Sequence, residues 1–160
     1  GYQILTFAGA PRIEPDGRQR EAYEVRPLAL ADVVSIDERV RATGREIDHR
    51  FWLSDANCAG RLVLARGGRV AGYYYVQHKG VVGPAAWEVE EDAESLLVAA
   101  FREAAERGGG QVRMALPGIN HTAIRFALGA GLRLVAYTHL LTNAPFGRME
   151  CYVPSGPSLF

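Results

Sequence analysis

The sequence predicts a single α/β domain in which helices flank a mixed sheet. The chain has 160 residues, which is enough for one domain with a sizeable core. Hydrophobic residues make up 48% of it and charged residues 22%, as in soluble globular chains. From residue 23 onward, candidate strands and helices follow one another in the order β-α-α-β-β-β-α-β-α-β-β. This alternation, with a helix between two late strands, indicates at least one parallel strand pair.

Composition argues against several classes of function. The 18 Lys and Arg residues balance the 18 Asp and Glu residues, so the basic excess typical of nucleic-acid binders is missing. No apolar run approaches the roughly 18 residues of a membrane span. Cys58 and Cys151 lie far apart, which disfavours a disulfide framework or a zinc site. We therefore expect a cytoplasmic protein that binds no metal, nucleic acid or membrane.

The first 22 residues form a separate unit in the sequence pattern. Residues 1–11 are apolar and indicate a strand, and residues 12–22 form a polar linker that contains a Pro-Asp-Gly turn. The segment 1–22 is either the tail of a preceding domain or a disordered arm ahead of the main domain, residues 23–160. Because Ile4, Leu5 and Phe7 are costly to leave in water, we expect residues 1–11 to pair or dock.

Regular patterns continue through the first half of the main domain. Residues 23–28 alternate as a strand, and Val33, Ile36 and Val40 indicate a helix over residues 31–43. A second helix over residues 46–54 is expected to turn Phe51 and Trp52 inward. Three strands follow, with Gly67-Gly68 as a hairpin turn between the first two and Pro84 forcing a bulge or splay in the third. Their ranges are 61–66, 69–78 and 80–87.

The second half contains the clearest helix. Apolar residues from Ala93 to Ala105 form one continuous stripe over residues 93–107, with Asp92 as the expected N-cap. Residues 111–116 alternate as a strand. Asn120 is expected to cap a helix over residues 121–130 that turns Ile124, Ala127 and Leu128 inward. Two strands, 132–142 and 148–154, complete the pattern.

The stretch NHTAIRFALGAGL, residues 120–132, resembles the GNAT family of acyl-CoA-dependent N-acetyltransferases. Asn120, Ala123, Gly131 and Leu132 match that family's helix, and the resemblance extends over residues 23–154. It implies a GNAT fold, a mixed twisted sheet of about seven strands that splays near Pro84. The R..DH segment before Arg50 and the GP..A strand resemble a subgroup whose members can carry two such domains in tandem.

The resemblance implies acetyl-CoA as co-substrate. Its pyrophosphate would lie on the amides that open the helix, and its pantetheine along the splayed strand, because helix N-termini bind anions and strand edges bind amides. The implied cofactor-binding residues are Ala85, Ala86, Trp87, Asp92, Ala93, Glu94, Ser95 and Asn120. Two features depart from the family pattern. Carboxylates occupy residues 88 and 90–92, where glycines are usual, and Ala127 stands where many members have a proton-donating Tyr.

The candidate catalytic residues are His49 as general base and Tyr137 as proton donor. Imidazole can take a proton near neutral pH, and Tyr137 shares a strand face with His139. Asp48, Trp52, Tyr75 and His139 are the candidate substrate-binding residues. In the alternative interpretation, Asp48 caps its helix and His49 packs beside Trp52.

Two functions remain open from the sequence. The first is N-acetyl transfer from acetyl-CoA to an amine, which is either a small-molecule amine or an amino-terminal group. The second is a non-catalytic GNAT-like binding or structural domain, such as the C-terminal half of a tandem protein. A homodimer or a fused second GNAT domain is compatible with both.

Overall fold

The computed structural model describes residues 1–13, 23–143 and 147–156. Within these residues there are eight strands, four α-helices and two short 3-10 helices. The helices are α1 (Leu30–Arg41), α2 (Glu46–Ser54), α3 (Glu90–Arg107) and α4 (His121–Gly129). The strands are β1 (Tyr2–Gly9), β2 (Tyr23–Pro27), β3 (Ala59–Ala65), β4 (Val70–Gln77), β5 (Val81–Trp87), β6 (Val112–Pro117), β7 (Arg133–Leu140) and β8 (Tyr152–Val153).

The strands form one mixed sheet in the order β2-β3-β4-β5-β6-β1-β7, with β8 paired to β5. β5 and β6 are parallel, and the other described pairs are antiparallel. The predicted class, a mixed sheet with flanking helices, is confirmed, as is the predicted parallel pairing of β5 with β6. The register between β4 and β5 shifts between Tyr74 and Val76, which confirms the predicted irregularity at Pro84.

β1 lies inside the sheet, between β6 and β7 and antiparallel to both. Ile4 is fully buried and Phe7 is 2% exposed, so the expected docking of the apolar N-terminal segment is confirmed. Most of the predicted linker, residues 14–22, lies outside the described residues. β1 therefore shares its core with the main domain.

The core lies between the sheet and the apolar helix faces. The α3 stripe is buried as predicted, and Phe101 meets the Phe126 ring at 4.9 Å between centroids. Two predicted core residues are exposed instead: Phe51 at 64% and Leu128 at 53%. Because successive helical residues point about 100° apart, burying Trp52 and Ala127 turns the adjacent Phe51 and Leu128 toward solvent.

Several predicted element boundaries are wrong. α3 begins at Glu90, with Val89 as N-cap, so Asp92 lies within the first turn and does not cap it. α1 ends at Arg41 because Ala42 takes a left-handed conformation, φ 57°. The last predicted strand is a 3-10 turn, Met149–Cys151, followed by the two-residue β8. No helix in the described ranges is long and apolar enough to span a bilayer.

Candidate active site

β5 and β6 separate in the middle of the sheet. In the described chain their ladder consists of two pairs, Val81↔Arg113 and Val82↔Met114, after which the strands diverge. β8 pairs antiparallel with β5 beyond that point, joining Ala85 to Val153 and Ala86 to Tyr152. The strand edge predicted to bind pantetheine is thus covered by the chain itself.

We call residues 147–156 the closing segment, because they fill the gap between the diverging strands. Within it Met149, Tyr152 and Val153 are fully buried, and Cys151 is 2% exposed. Its backbone also joins α1, since the Arg148 amide donates to the Val40 carbonyl at 2.6 Å. The sequence indicated a strand here but gave no sign that it would enter the cleft.

Asn120 holds both α4 and the closing segment. Its side chain is fully buried, and Oδ1 accepts a hydrogen bond from the Ala123 amide at 3.0 Å, as the predicted N-cap should. Its Nδ2 donates to the Tyr152 carbonyl at 3.0 Å. Both polar groups of Asn120 are therefore engaged within the protein, and neither faces an open cofactor site.

Three of the four carboxylates at residues 88 and 90–92 have partners within the domain. Glu88 pairs with Arg39 at 2.6 Å, and Glu90 accepts a hydrogen bond from the Thr122 hydroxyl on α4. Glu91 is exposed to solvent. These contacts place Glu90 beside α4 and the cleft, and they partly neutralise the acidic segment.

Asp92 turns the other way, toward the outer strands. It is 1% exposed and accepts hydrogen bonds from Arg69 at 2.7 and 2.9 Å and from the Tyr23 hydroxyl at 3.0 Å. Burial, followed by the Asp92 carboxylate, raises the pKa of Tyr23. Ser95 lines a groove of about 680 Å³ beside β2 and β3. Of the residues predicted to hold pyrophosphate, the Asp92 and Ser95 side chains thus point away from the cleft.

His49 lies in a buried chain of hydrogen bonds. Its Nε2 is 2.9 Å from Asp37 Oδ2, and its Nδ1 is 3.1 Å from the Tyr75 hydroxyl. The Tyr73 hydroxyl donates to the other Asp37 oxygen at 2.6 Å. All four side chains are fully buried. A carboxylate that orients an imidazole, which in turn contacts a phenol, is an arrangement that can pass a proton.

Asp37 was missed by the sequence analysis. The signal was present, because Asp37 lies four residues after Val33 and three before Val40, on the apolar stripe of α1. A carboxylate at a buried position of an amphipathic helix requires partners. Burial raises the pKa of Tyr73 and Tyr75, and the nearby Asp37 carboxylate adds to the rise in both.

The closing segment reaches this cluster through Tyr152. Arg45 donates to the Tyr152 hydroxyl at 2.7 Å, and the Arg41 guanidinium lies 4.2 Å from the centre of its ring. Arg45 also pairs with Asp48, a predicted substrate-binding residue, at 2.9 Å. Burial raises the pKa of Tyr152 to about 12, although both arginines oppose the rise.

The remaining predicted site residues divide into two groups. Trp52 and Tyr75 adjoin His49, with ring centroids 5.4 and 5.8 Å from the imidazole. Tyr137 and His139 lie on β7, both exposed, and three strands separate β7 from β4. The geometry therefore joins His49, Trp52 and Tyr75 in one cluster and leaves Tyr137 and His139 outside it. Asp48 lies at the edge of the cluster, since its partner Arg45 lies over the Trp52 ring.

No group of three potential metal ligands occurs among the residues that the structure covers. The residues at the cleft fit an acyl-CoA donor only in part. β5 and β6 separate near Pro84, as the resemblance implied, but β8 is paired with the β5 backbone at Ala85 and Ala86, and Asn120 Nδ2 donates to the Tyr152 carbonyl. While β8 is paired with β5, these groups are not available to a donor.

Comparison with known proteins identifies the fold. No protein-family model matches the chain, and no curated protein matches it by sequence. Among solved structures, a presumed acetyltransferase from Pyrococcus horikoshii superposes with a TM-score of 0.67 at 16% identity, over 95% of this chain and 49% of that one. A Drosophila protein superposes with a TM-score of 0.66 at 11% identity, over 85% of this chain and 48% of that one.

These matches show that the chain shares its fold with a solved structure described as an acetyltransferase. The chain spans about half the length of each solved protein. Fold alone does not carry an activity with it.

Proposed function

We propose that this chain is an acyl-CoA-dependent N-acetyltransferase domain whose donor cleft is held closed by its own closing segment. The observation that carries the proposal is the parallel pair β5 and β6, which separates after two residue pairs of the described ladder, beside the Asn120-capped helix. A separated parallel pair exposes strand edges that can bind the amides of an extended ligand.

In acetyl transfer, the amine nitrogen forms a bond to the thioester carbonyl, the carbon–sulfur bond breaks, and a proton passes from the amine to the leaving thiolate. His49 is the proposed base, and Asp37 at 2.9 Å fixes its ring orientation. Asp48, Trp52 and Tyr75 would form the wall of the amine site. The amides that open α3 would meet the donor's phosphates.

One set of contacts favours the alternative, a non-catalytic binding or structural domain. His49 is fully buried, and both polar groups of Asn120 bond within the chain. A domain in which this closure is permanent would serve as a structural or binding half of a larger protein. Binding of acetyl-CoA separates the two candidates.

Calorimetry with acetyl-CoA is the test. We expect weak binding by the wild type and binding about tenfold tighter in the double variant Glu90→Gln, Glu91→Gly, because two carboxylates then no longer oppose the helix dipole. The matched control is Glu24→Gln with Glu106→Gln, which removes the same charge from exposed residues elsewhere.

The salt dependence of binding and a complete absence of binding are the two further outcomes that decide between the candidates. The difference between wild type and variant should shrink at high salt, because screening weakens exposed charges. Tight wild-type binding that ignores salt would show that the carboxylates do not oppose the donor. No binding by any variant would refute the enzyme proposal and favour the non-catalytic domain.

A further inference from the structure

We propose that the closing segment and the acyl-CoA donor exclude each other, so that the domain opens only when residues 147–156 leave the cleft. This inference rests on the proposed function and adds its regulation. The segment would keep the base shielded until a donor competes for the same strand edge.

The first support is that the segment uses the groups a donor would need. β8 pairs with the backbone of β5 at Ala85 and Ala86, and the Tyr152 carbonyl accepts a hydrogen bond from the side-chain amide of Asn120. An amide-bearing arm cannot hydrogen-bond to the same β5 groups while β8 is paired there. β8 and the donor would therefore compete for the same backbone atoms of β5.

The second support is that the segment joins both sides of the cleft. On the side of the His49 cluster, the Tyr152 hydroxyl accepts a hydrogen bond from Arg45 at 2.7 Å. On the donor side, Arg148 donates to the Glu88 carbonyl at 3.1 Å, directly before α3. One displacement of the segment would therefore release the His49 cluster and the start of α3 together.

The third support is the small number of ladder pairs that hold β8. Two residue pairs join β8 to β5 in the described chain, whereas β1 pairs with β6 over six residues. The other backbone attachments are single hydrogen bonds, among them those from the Arg148 amide to the Val40 carbonyl and from the Gln77 side chain to the Ser155 carbonyl, and the rest is side-chain packing, chiefly of Tyr152. Local openings of protein structure occur where few backbone bonds must break.

Cys151 provides a reporter within the chain. It lies in the closing segment and is 2% exposed, so it can react with a thiol reagent only when the segment moves. In a Cys58→Ser background, alkylation by iodoacetamide followed by intact mass reports on Cys151 alone. S-ethyl-CoA is the probe, because it has no free thiol and no labile thioester, and ATP at equal concentration is the anion control.

We expect saturating S-ethyl-CoA to raise the labelling rate of Cys151 about tenfold or more, because a ligand that binds only the open form increases its population. ATP should leave the rate unchanged. If S-ethyl-CoA binds by calorimetry while Cys151 stays protected, the exclusion is refuted and the proposed function stands.

The variant Tyr152→Phe tests whether the hydrogen bond from Arg45 holds the closing segment in place, and it leaves no cavity in the core. It keeps the ring and removes the hydroxyl that Arg45 binds. We expect labelling without ligand to rise, and S-ethyl-CoA affinity to rise by the same factor, about tenfold, because opening and binding are linked. Tyr74→Phe is the matched control, since it removes a phenol that bonds Glu103 on the opposite face of the sheet.

The outcomes distinguish the two levels of the proposal. Faster labelling in Tyr152→Phe with no S-ethyl-CoA binding by any variant refutes the proposed function, and with it the donor's role in opening. If the labelling rate and the affinity are unchanged in Tyr152→Phe, the hydrogen bond between Tyr152 and Arg45 does not hold the closing segment in place.

Discussion

Removing the Asp37 carboxylate should destabilise the domain by an amount that depends on what replaces it. Asp37 is fully buried and accepts hydrogen bonds from two buried partners, His49 and Tyr73. Asp37→Leu would leave both groups without that acceptor. Each buried unsatisfied polar group costs about 1–3 kcal/mol, so we expect a loss of roughly 2–6 kcal/mol in the free energy of unfolding.

Asp37→Asn should cost clearly less than Asp37→Leu. The amide oxygen can still accept from Tyr73, and the amide nitrogen can donate to His49 if the imidazole adopts the tautomer that accepts at Nε2. The tautomer change also requires Nδ1 to donate to the Tyr75 hydroxyl, 3.1 Å away. One rearranged hydrogen bond suggests a cost of about 1 kcal/mol.

Urea unfolding followed by tryptophan fluorescence measures both variants, because Trp52 lies against His49. Glu38→Gln is the control, since it removes one negative charge from an exposed position on the same helix. An Asp37→Leu variant within about 0.5 kcal/mol of the wild type, the range of ordinary surface substitutions, would refute the assigned role of the hydrogen-bond chain.

Two further predictions concern the anchors of the closing segment. Asn120→Leu should lower the free energy of unfolding by about 1.5–5 kcal/mol, because it removes the α4 cap and leaves the Tyr152 carbonyl without its donor. Urea unfolding at neutral pH measures this loss, and a substitution without effect on stability would contradict it. The folded pKa of Tyr152, about 12, exceeds the usual value near 10, so its contribution to stability is complete below pH 10 and is lost as the pH rises toward 12. The free energy of unfolding should therefore fall less between pH 9 and pH 11 in Tyr152→Phe than in the wild type; equal declines would argue against the assignment.

Local patterns were sufficient to predict most of the elements. The α3 stripe, the Asn120 cap and the bulge at Pro84 depend on residues close together in the chain, and the structure contains all three. Apolar content alone predicted that residues 1–11 would dock. Such features follow from side-chain periodicity and backbone chemistry, which are written in the sequence directly.

The candidate site depended on contacts between residues far apart in the chain. His49 was proposed from its chemistry, but its partner Asp37 comes from another helix and Tyr75 from a strand 26 residues away. Tyr137 and His139 had equally suitable chemistry, yet the insertion of β1 between β6 and β7 moves them further from His49. Strand order is set by the packing of the whole sheet, and no local pattern encodes it.

The sequence by itself determined the class of fold, the parallel crossover and the helix that Asn120 caps, because each follows from the periodicity or turn chemistry of a short stretch. Only the tertiary structure decided that β8 closes the cleft and that Tyr152 reaches Arg45. A two-residue strand has almost no pattern of its own. Its place is fixed by which unpaired strand edge remains in the folded sheet, and here that edge is β5 at Ala85 and Ala86.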